Sequence, residues 1–194
     1  MENFTRILSN PSIRGPFLTI FIWTFIWAFF SVLETFVLGL ILALTMNSPN
    51  IPFQRLLRVL LIVPYAIPPF ITVKVWVGLF NPVLGVIGSQ WNPGWFTDPL
   101  WSKIGILIVN MWLGYPYMFL ITTGALQSIP SDIYEAARVD GANAFYQFRR
   151  LTLPLLLVSI GPLLIGSFAF NFNNFAIIDL YNQGGPPIPG AGTP

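Results

Sequence analysis

Four long stretches without a charged side chain place the strongest constraint on this 194-residue chain. They cover residues 17–33, 59–73, 104–131 and 151–178. A helix needs about 20 apolar residues to cross the roughly 30 Å hydrocarbon core of a bilayer. We therefore predict an all-α membrane protein with four transmembrane helices. Their expected limits are residues 17–46, 57–80, 103–127 and 151–179.

The composition agrees with a membrane location and excludes several other classes of protein. Only 8% of the residues are charged and the net charge is +2, whereas a soluble domain carries about 25% charged residues. A soluble enzyme, a disordered tail and a nucleic-acid binder each need more charge than this. Because the chain has no Cys and no His, disulfide scaffolds, zinc sites and Ser-His triads are excluded, and no cofactor or metal is predicted.

The segments that connect or flank the spans indicate an orientation through their basic residues. These segments are residues 1–16, 47–56, 81–102, 128–150 and 180–194. Five basic side chains lie in or beside the second and fourth of them, against three on the opposite side. Lys and Arg favour the cytoplasmic side, so we predict these two segments to be cytoplasmic and the other three extracytoplasmic. In the outer loop, Trp91, Trp95 and Trp101 are suited to a belt at the lipid headgroups.

Ionisable side chains and prolines interrupt the first two spans. Glu34 lies in the first span and Lys74 in the second. A group at such depth is either functional or a snorkelling or paired side chain, and the sequence leaves both possibilities open. Pro64, Pro68 and Pro69 break the hydrogen-bond ladder of the second span, which is tolerated only where protein or a cavity satisfies the freed carbonyls. We therefore expect a kinked helix beside a pore.

The predicted cytoplasmic loop, residues 128–150, has the signals of two short helices joined by a turn. Ser131 is suited to cap the first helix, and Asp140-Gly141 is suited to end it with a positive φ. Asn143 can cap a second helix that ends at Arg149-Arg150. The loop is either an interfacial helix that lies on lipid headgroups or a structured element that docks on a partner.

Two of the spans carry polar and aromatic side chains at the spacing of one helix face. The stripe on the third span comprises Asn110, Leu113, Gly114 and Tyr117. The stripe on the fourth span comprises Ser167, Phe170, Asn171 and Asn174, whereas Asn173 lies on another face and is assigned to packing. The two stripes fall at matching depth, which favours a pore-lining site over interhelical hydrogen bonding as the alternative. None of the eight is charged, so a neutral polyhydroxyl ligand fits better than a charged one.

Several motifs of the chain resemble those of the membrane subunits of bacterial ABC importers. Glu135-Ala136-Ala137, Asp140-Gly141-Ala142 and Leu153-Pro154 match the EAA signature of that family in sequence and spacing. Further stretches are similar to the larger permease subunits of maltose and maltodextrin importers. These stretches are RVLLIVPYAIPP at residues 58–69, NMWLGYPYM at 110–118, SFAFNFNNF at 167–175 and GGPP at 184–187.

The resemblance implies a type I ABC importer permease core in the inner membrane that imports maltose or maltodextrin. In that family the EAA loop is the coupling helix that docks in a cleft of the ATPase. The implied coupling residues are Glu135, Ala136, Ala137, Asp140 and Gly141. Family positions that match the two stripes line the sugar site. The implied substrate-binding residues are therefore Asn110, Leu113, Gly114, Tyr117, Ser167, Phe170, Asn171 and Asn174.

The resemblance also implies the partners of the chain. They are a second permease subunit, two copies of a cytoplasmic ATPase and an extracytoplasmic sugar-binding protein. No Walker A pattern, G-x-x-x-x-G-K-[ST], occurs in the sequence, so ATP hydrolysis is assigned to the ATPase and the chain is not expected to be an enzyme.

Other interpretations remain open at the level of sequence. The substrate is maltose or maltodextrin, or another neutral sugar such as trehalose or a different oligosaccharide. A carrier or channel without ATP would make the EAA match accidental. A membrane-embedded enzyme would have only Glu34, Lys74 and Asp179 as ionisable groups near membrane depth. Because permeases of this family have further spans before and after the matched region, we expect the chain to be a fragment.

Overall fold

The structure is a computed structural model that describes residues 10–48 and 51–185. Most of the expected outer segment 1–16 and the end of the segment 180–194 lie outside the described residues. The described part is built from helices and turns, so the expected all-α class is confirmed. The helices are α1 (Pro11–Met46), α2 (Gln54–Ala66), α3 (Pro69–Leu79), α4 (Pro99–Gln127), α5 (Ser131–Val139), α6 (Ala144–Gln147), α7 (Leu153–Phe172) and α8 (Ala176–Asn182).

Three helical stretches are long and apolar enough to cross a membrane, and a fourth candidate is broken. The unbroken stretches are Ile13–Met46, Pro99–Gln127 and Ala144–Phe172. The broken one is the pair α2 and α3, whose axes meet at 94°. Ile67 between them has extended backbone angles, φ −84° and ψ 128°, as expected for a residue that precedes a proline. The prolines of the second span therefore produce a sharp break rather than a gentle bend.

The last span differs from the expected range of residues 151–179 at both ends. At its start, the π-helical turn Phe148–Thr152 joins α6 to α7 without interruption, so the second loop helix does not end at Arg149-Arg150. At its end, α7 stops at Phe172, and α8 forms a separate short helix. The Nδ2 of Asn173 donates to the carbonyl of Ala169 at 2.8 Å. Asn side chains compete with the backbone ladder in this way, which favours the end of a helix.

Helices α1 and α4 run in the same direction and approach each other closely at glycines. Gly39 faces Met118, and a Cβ built on Gly39 would lie 2.7 Å from the Cβ of Met118 and 2.8 Å from the amide nitrogen of Phe119. Gly114 faces Thr35 in the same way, one turn along the pair. Small residues at such positions let membrane helices pack backbone against side chain.

Two clusters of buried apolar side chains lie at opposite ends of the helices. The first, which we call the Trp27 cluster, comprises Trp27, Ala28, Val73, Phe80, Trp95, Ile106, Val109, Ile177 and Tyr181. The second, the Phe119 cluster, comprises Leu40, Ala43, Met46, Phe119, Ala125, Leu126, Leu156 and Ile160. The clusters are separated by residues 29–39 on α1 and by residues 110–118 on α4, whereas α7 contributes buried residues only to the Phe119 cluster.

The loop between α3 and α4 corrects the expected position of one tryptophan. Trp95 was expected at the headgroups, but it is only 1% exposed and stacks on Phe80 with 4.4 Å between the ring centroids. Its carbonyl accepts hydrogen bonds from the hydroxyls of Ser102 and Tyr181, each at 3.0 Å. Burial raises the pKa of the Tyr181 hydroxyl, which keeps it protonated as a donor. Trp95 therefore anchors α8 to the loop, because tertiary packing overrides the interfacial preference of tryptophan.

Replacing Gly39 by Ala should destabilise the pair α1 and α4. The new methyl group meets backbone atoms that cannot move independently, and overpacking of this kind costs about 1–3 kcal/mol. We expect a lower midpoint of thermal denaturation for the purified full-length protein. Gly124→Ala on α4 is the control, since a Cβ there meets nothing within 4 Å. Equal midpoints for both variants would contradict the close approach.

Candidate functional site

A cavity of about 860 Å³ lies among α1, α2, α3, α4, α7 and α8, between the two apolar clusters. Ligand-binding cavities in proteins typically measure about 300–1,000 Å³. The residues that line it are Thr35, Pro64, Tyr65, Ile67, Pro69, Val73, Asn110, Leu113, Gly114, Tyr117, Met118, Pro162, Leu163, Gly166, Ser167, Phe170, Asn171, Asn174, Ala176, Ile177 and Leu180.

The structure brings both predicted stripes to this one cavity. All eight residues, from Asn110 on α4 to Asn174 after α7, are among those that line it. Asn174 does not reach the cavity from a helix, as helical spacing predicted, because it lies beyond the end of α7. Its backbone N–H donates to the backbone carbonyl of Asn171 at 3.1 Å. Asn173 does not line the cavity and is exposed. The role of the eight residues in substrate binding stays a prediction.

Most polar side chains of the stripes keep their hydrogen-bonding groups available to a ligand. Asn110 is 6% exposed, and its amide makes no hydrogen bond to another described residue. The side chains of Tyr117, Ser167 and Asn174 likewise have no such partner within residues 10–48 and 51–185. Asn171 uses its Nδ2 to bond the Ser167 carbonyl at 2.9 Å, which leaves its Oδ1 as an acceptor. An occupant with several hydroxyl groups would satisfy these donors and acceptors.

The backbone at Asn171 is fixed by a contact with α1. The indole Nε1 of Trp27 donates to the Asn171 carbonyl at 3.1 Å, and Trp27 is only 1% exposed. Buried Trp normally finds an acceptor for its N–H. This bond holds the end of α7 against α1 and thereby positions the polar stripe of α7.

No charged side chain is among the residues that line the cavity. Lys74 on α3 is directed elsewhere, since its Nζ donates to the Leu180 carbonyl at 2.8 Å and ties α3 to α8. Glu34 is half-buried on α1, and one of its carboxyl oxygens is buried without a hydrogen-bond partner in the described part of the chain. Among the described residues, Lys74 thus has a structural partner, whereas Glu34 does not.

Sequence reasoning missed part of the cavity wall. Thr35 on α1, Tyr65 on α2 and Ile177 and Leu180 on α8 line the cavity without belonging to either stripe. The proline pattern was a usable signal for α2, because a broken helix exposes its ends to a cavity. No local pattern marked Thr35 or α8, since their positions depend on contacts with α4 and with the outer loop. Tyr65 and Phe170 are 57% and 69% exposed, so two aromatic rings are accessible at the cavity.

The loop of residues 128–150 ends its first helix with a Schellman motif. The amide of Ala142 donates to the Ala137 carbonyl at 2.9 Å, and the amide of Gly141 donates to the Arg138 carbonyl at 3.1 Å. Gly141 has φ +81°, the left-handed conformation that this motif requires and that glycine adopts without strain. The expected positive φ after Asp140 is thereby confirmed.

The caps of the two loop helices agree with the sequence in one case and differ in the other. The Oδ1 of Asn143 accepts from the Tyr146 amide at 2.9 Å, so Asn143 caps α6 as expected. Ser131 is not the cap of α5, because that helix begins at Ser131 and Pro130 occupies the cap position. The Ser131 hydroxyl instead lies 3.3 Å from an oxygen of Asp132.

The surface of this loop combines exposed apolar side chains with a small cleft. Val139, Phe145 and Tyr146 are 88%, 70% and 54% exposed. Glu135, Ala136, Asp140 and Gly141 are exposed, and Ala137 is half-buried. The cleft, of about 430 Å³, is lined by Ala137, Asp140, Gly141, Ala142, Asn143, Tyr146 and Leu151. Exposed apolar groups rimmed by polar ones are typical of a surface that binds another protein.

Comparison with known proteins shows the family of the chain. The model of the family described as "Binding-protein-dependent transport system inner membrane component" matches residues 35–191. The chain belongs to this family of inner-membrane transport components. Its membrane location, predicted from the uncharged stretches, is confirmed by this membership and by the apolar helices.

Curated relatives match along the whole chain. A protein of Vibrio vulnificus strain YJ016 named maltose/maltodextrin transport system permease protein MalF is 46% identical over 199 residues, which cover 100% of this chain and 38% of the relative. The protein of that name from Escherichia coli K12 is 44% identical over 199 residues, or 39% of its length. The chain thus spans less than half the length of these relatives.

Solved structures show the same fold at lower sequence identity. A chain of a bacterial ABC transporter involved in the import of the acidic polysaccharide alginate superimposes with a TM-score of 0.78 at 22% identity. The match covers 94% of this chain and 65% of that one. The same transporter in complex with a periplasmic protein bound to an alginate pentasaccharide gives a TM-score of 0.76, also at 22% identity. The expected fold of an ABC importer permease is therefore confirmed.

The contact of Gly114 with Thr35 predicts a pair of compensating substitutions. A Cβ on Gly114 would lie 2.6 Å from the Cγ2 of Thr35, so Gly114→Ala should lower stability by about 1–3 kcal/mol. Thr35→Ser removes that methyl group and keeps the hydroxyl that bonds the Ser31 carbonyl at 2.7 Å. We expect the double variant to recover most of the loss in thermal denaturation of the purified full-length protein. A double variant as unstable as Gly114→Ala alone would show that the contact is not the cause.

Proposed function

We propose that this chain is the substrate-conducting core of a permease subunit that imports maltose and maltodextrins with energy from ATP. The observation that carries the proposal is the uncharged cavity around which all eight stripe residues meet. Relatives that match the whole chain at 44–46% identity are named as maltose/maltodextrin permeases, which supports this choice of substrate.

The chemistry of the cavity favours a neutral sugar. Free amide and hydroxyl groups of Asn110, Tyr117, Ser167 and Asn174 can exchange hydrogen bonds with sugar hydroxyls. The exposed ring of Phe170 offers an apolar face for a pyranose. An acidic sugar would need a cation to balance a charge in this low-dielectric interior, and the lining residues include none. The cavity therefore differs in chemistry from what the import of an acidic polysaccharide requires.

The two apolar clusters supply a physical basis for alternating access. In the predicted orientation, the Trp27 cluster lies on the extracytoplasmic side of the cavity and the Phe119 cluster on the cytoplasmic side. Each cluster closes one route to the cavity, so that opening one while the other stays packed exposes the site to one side at a time. The cavity is the place where a sugar would rest between these two states.

The energy for this cycle must come from partners of the chain. The chain has no Walker A sequence, so we assign ATP hydrolysis to two cytoplasmic ATPase subunits. Their docking surface is the loop of residues 128–150, with Glu135, Ala136, Ala137, Asp140 and Gly141 at the contact. A second permease subunit would complete the pore, and an extracytoplasmic binding protein would deliver the sugar.

Replacement of Asn171 by Ala tests the role of the cavity. The variant loses the acceptor Oδ1, and we expect a severalfold decrease in maltose uptake by cells that carry the full-length permease with its partners. Asn173→Ala is a matched control, because Asn173 lies two residues away, is exposed and does not line the cavity. Equal uptake by both variants would count against the site. Parallel uptake of trehalose and of longer oligosaccharides compares maltose with the alternative neutral sugars.

Replacement of Gly141 by Val tests the role of the loop. A β-branched residue is strongly disfavoured at φ +81°, and left-handed backbone costs roughly 1–2 kcal/mol for residues with a Cβ. We expect the variant to insert into the membrane but to lose ATP-driven uptake and co-purification of the ATPase. Gly141→Asn is the control, since Asn tolerates this conformation and should keep most activity. Normal uptake by the Val variant would refute docking through this turn, and would leave an ATP-independent carrier as the alternative.

A further inference from the structure

A π-helical turn lies where the loop of residues 128–150 joins α7. It spans Phe148–Thr152, and the amide of Leu153 closes it by donating to the Phe148 carbonyl five residues earlier. Turns of this kind are rare, occur mostly as a single turn within an α-helix, and are frequent at functional sites. Here the turn carries Arg149 and Arg150 on the exposed side and Thr152 on the buried side.

The hydroxyl of Thr152 connects this turn to the first loop helix. Thr152 is 6% exposed, and its Oγ1 lies 3.4 Å from the Gln147 carbonyl and 3.0 Å from the Tyr134 hydroxyl. Since a carbonyl can only accept, we assign the Thr152 hydroxyl as donor to Gln147 and the Tyr134 hydroxyl as donor to Thr152. Tyr134 is the residue before Glu135 on α5.

A second hydrogen bond connects the turn between α5 and α6 to Gln147, the residue whose carbonyl accepts from Thr152. The Nε2 of Gln147 donates to the Ala142 carbonyl at 2.7 Å. Gln147 thus contacts the turn with its side chain and Thr152 with its carbonyl. Hydrogen bonds therefore connect both α5 and the turn that follows it to the base of α7, at the buried side chain of Thr152.

We infer that Tyr134 and Thr152 are positioning residues that transmit movement of the loop to α7 and so to the cavity. The inference rests on the proposed function, because it assumes that the loop is displaced by an ATPase. An α-helix rises about 1.5 Å per residue, which places Ser167 roughly 22 Å from Thr152 along α7. Helix α7 is continuous from Leu153 to Phe172, with Pro162 inside it, so a displacement of its base also moves the residues of α7 at the cavity. The π-helical turn is a point at which the regular hydrogen-bond ladder is interrupted and the helix can bend.

The test removes the hydroxyl of Tyr134 or that of Thr152 and compares the effects of the two substitutions. Tyr134→Phe and Thr152→Val each delete one partner and retain the shape, and the double variant deletes both. Thr152→Ser is the control that keeps the hydroxyl at position 152. All variants are made in the full-length permease, assembled with its partners.

The direct readout is the accessibility of α7 at the cavity. Leu163 lines the cavity, and Leu163→Cys in an otherwise cysteine-free complex reports its environment through the rate of maleimide labelling. We expect a non-hydrolysable ATP analogue to change this rate in the parent, and Tyr134→Phe or Thr152→Val to reduce the change about fivefold, the factor that corresponds to one typical hydrogen bond. The double variant should match Thr152→Val, because that substitution already removes the bond to Tyr134 together with the bond to the Gln147 carbonyl.

A second readout separates transmission from folding and docking. The variants should co-purify with the ATPase and keep their thermal midpoint, while the ATP hydrolysed per sugar imported rises. The inference is overturned if labelling does not respond to the ATP analogue in the parent, if the variants respond like the parent, or if the two losses add. A parent that responds to the analogue but imports no sugar would instead refute the proposed function and leave the link intact.

Discussion

The close approach of α1 and α4 is the contact on which the rest of the structure depends. In lipid there is no hydrophobic drive to bring helices together, so association relies on tight packing of small residues. Gly39 and Gly114 supply that packing, against Met118 and Thr35. With the two helices in this register, the polar face of α4 borders the space that α7 closes from the other side. Larger side chains at either glycine would move α4 away and distort the cavity.

The distribution of charge divides the molecule into two functional parts. Six of the sixteen charged side chains, counting nine basic and seven acidic, belong to the loop of residues 128–150. The cavity has none in its lining. Burying a charge without a partner is costly, and a neutral path avoids holding a charged group or a counter-ion at membrane depth. The proposed sugar path and the proposed docking surface are therefore chemically distinct. The hydrogen bonds of Tyr134, Gln147 and Thr152 join the loop to the base of α7, the helix that carries one of the two stripes.

The loop shows how a short sequence signature follows from backbone geometry. Gly141 occupies the left-handed position of a Schellman motif, in which the Ala142 amide donates to the carbonyl of Ala137, five residues earlier. The motif turns the chain from α5 to α6 within a few residues, and Asn143 caps the second helix. The result is a compact element on which Val139 and Phe145 are exposed.

The sequence by itself determined the helical class, the apolar segments, the break at the prolines, the Gly141 turn and both stripes, because periodicity, charge and turn chemistry are local properties. The tertiary structure decided the rest. It buried Trp95 under Tyr181, ended α7 at Phe172 instead of residue 179, and added Thr35 and α8 to the cavity wall. These features depend on contacts between residues far apart in the chain, such as the bond from Trp27 to the Asn171 carbonyl, and no local pattern encodes which distant helix a residue will meet.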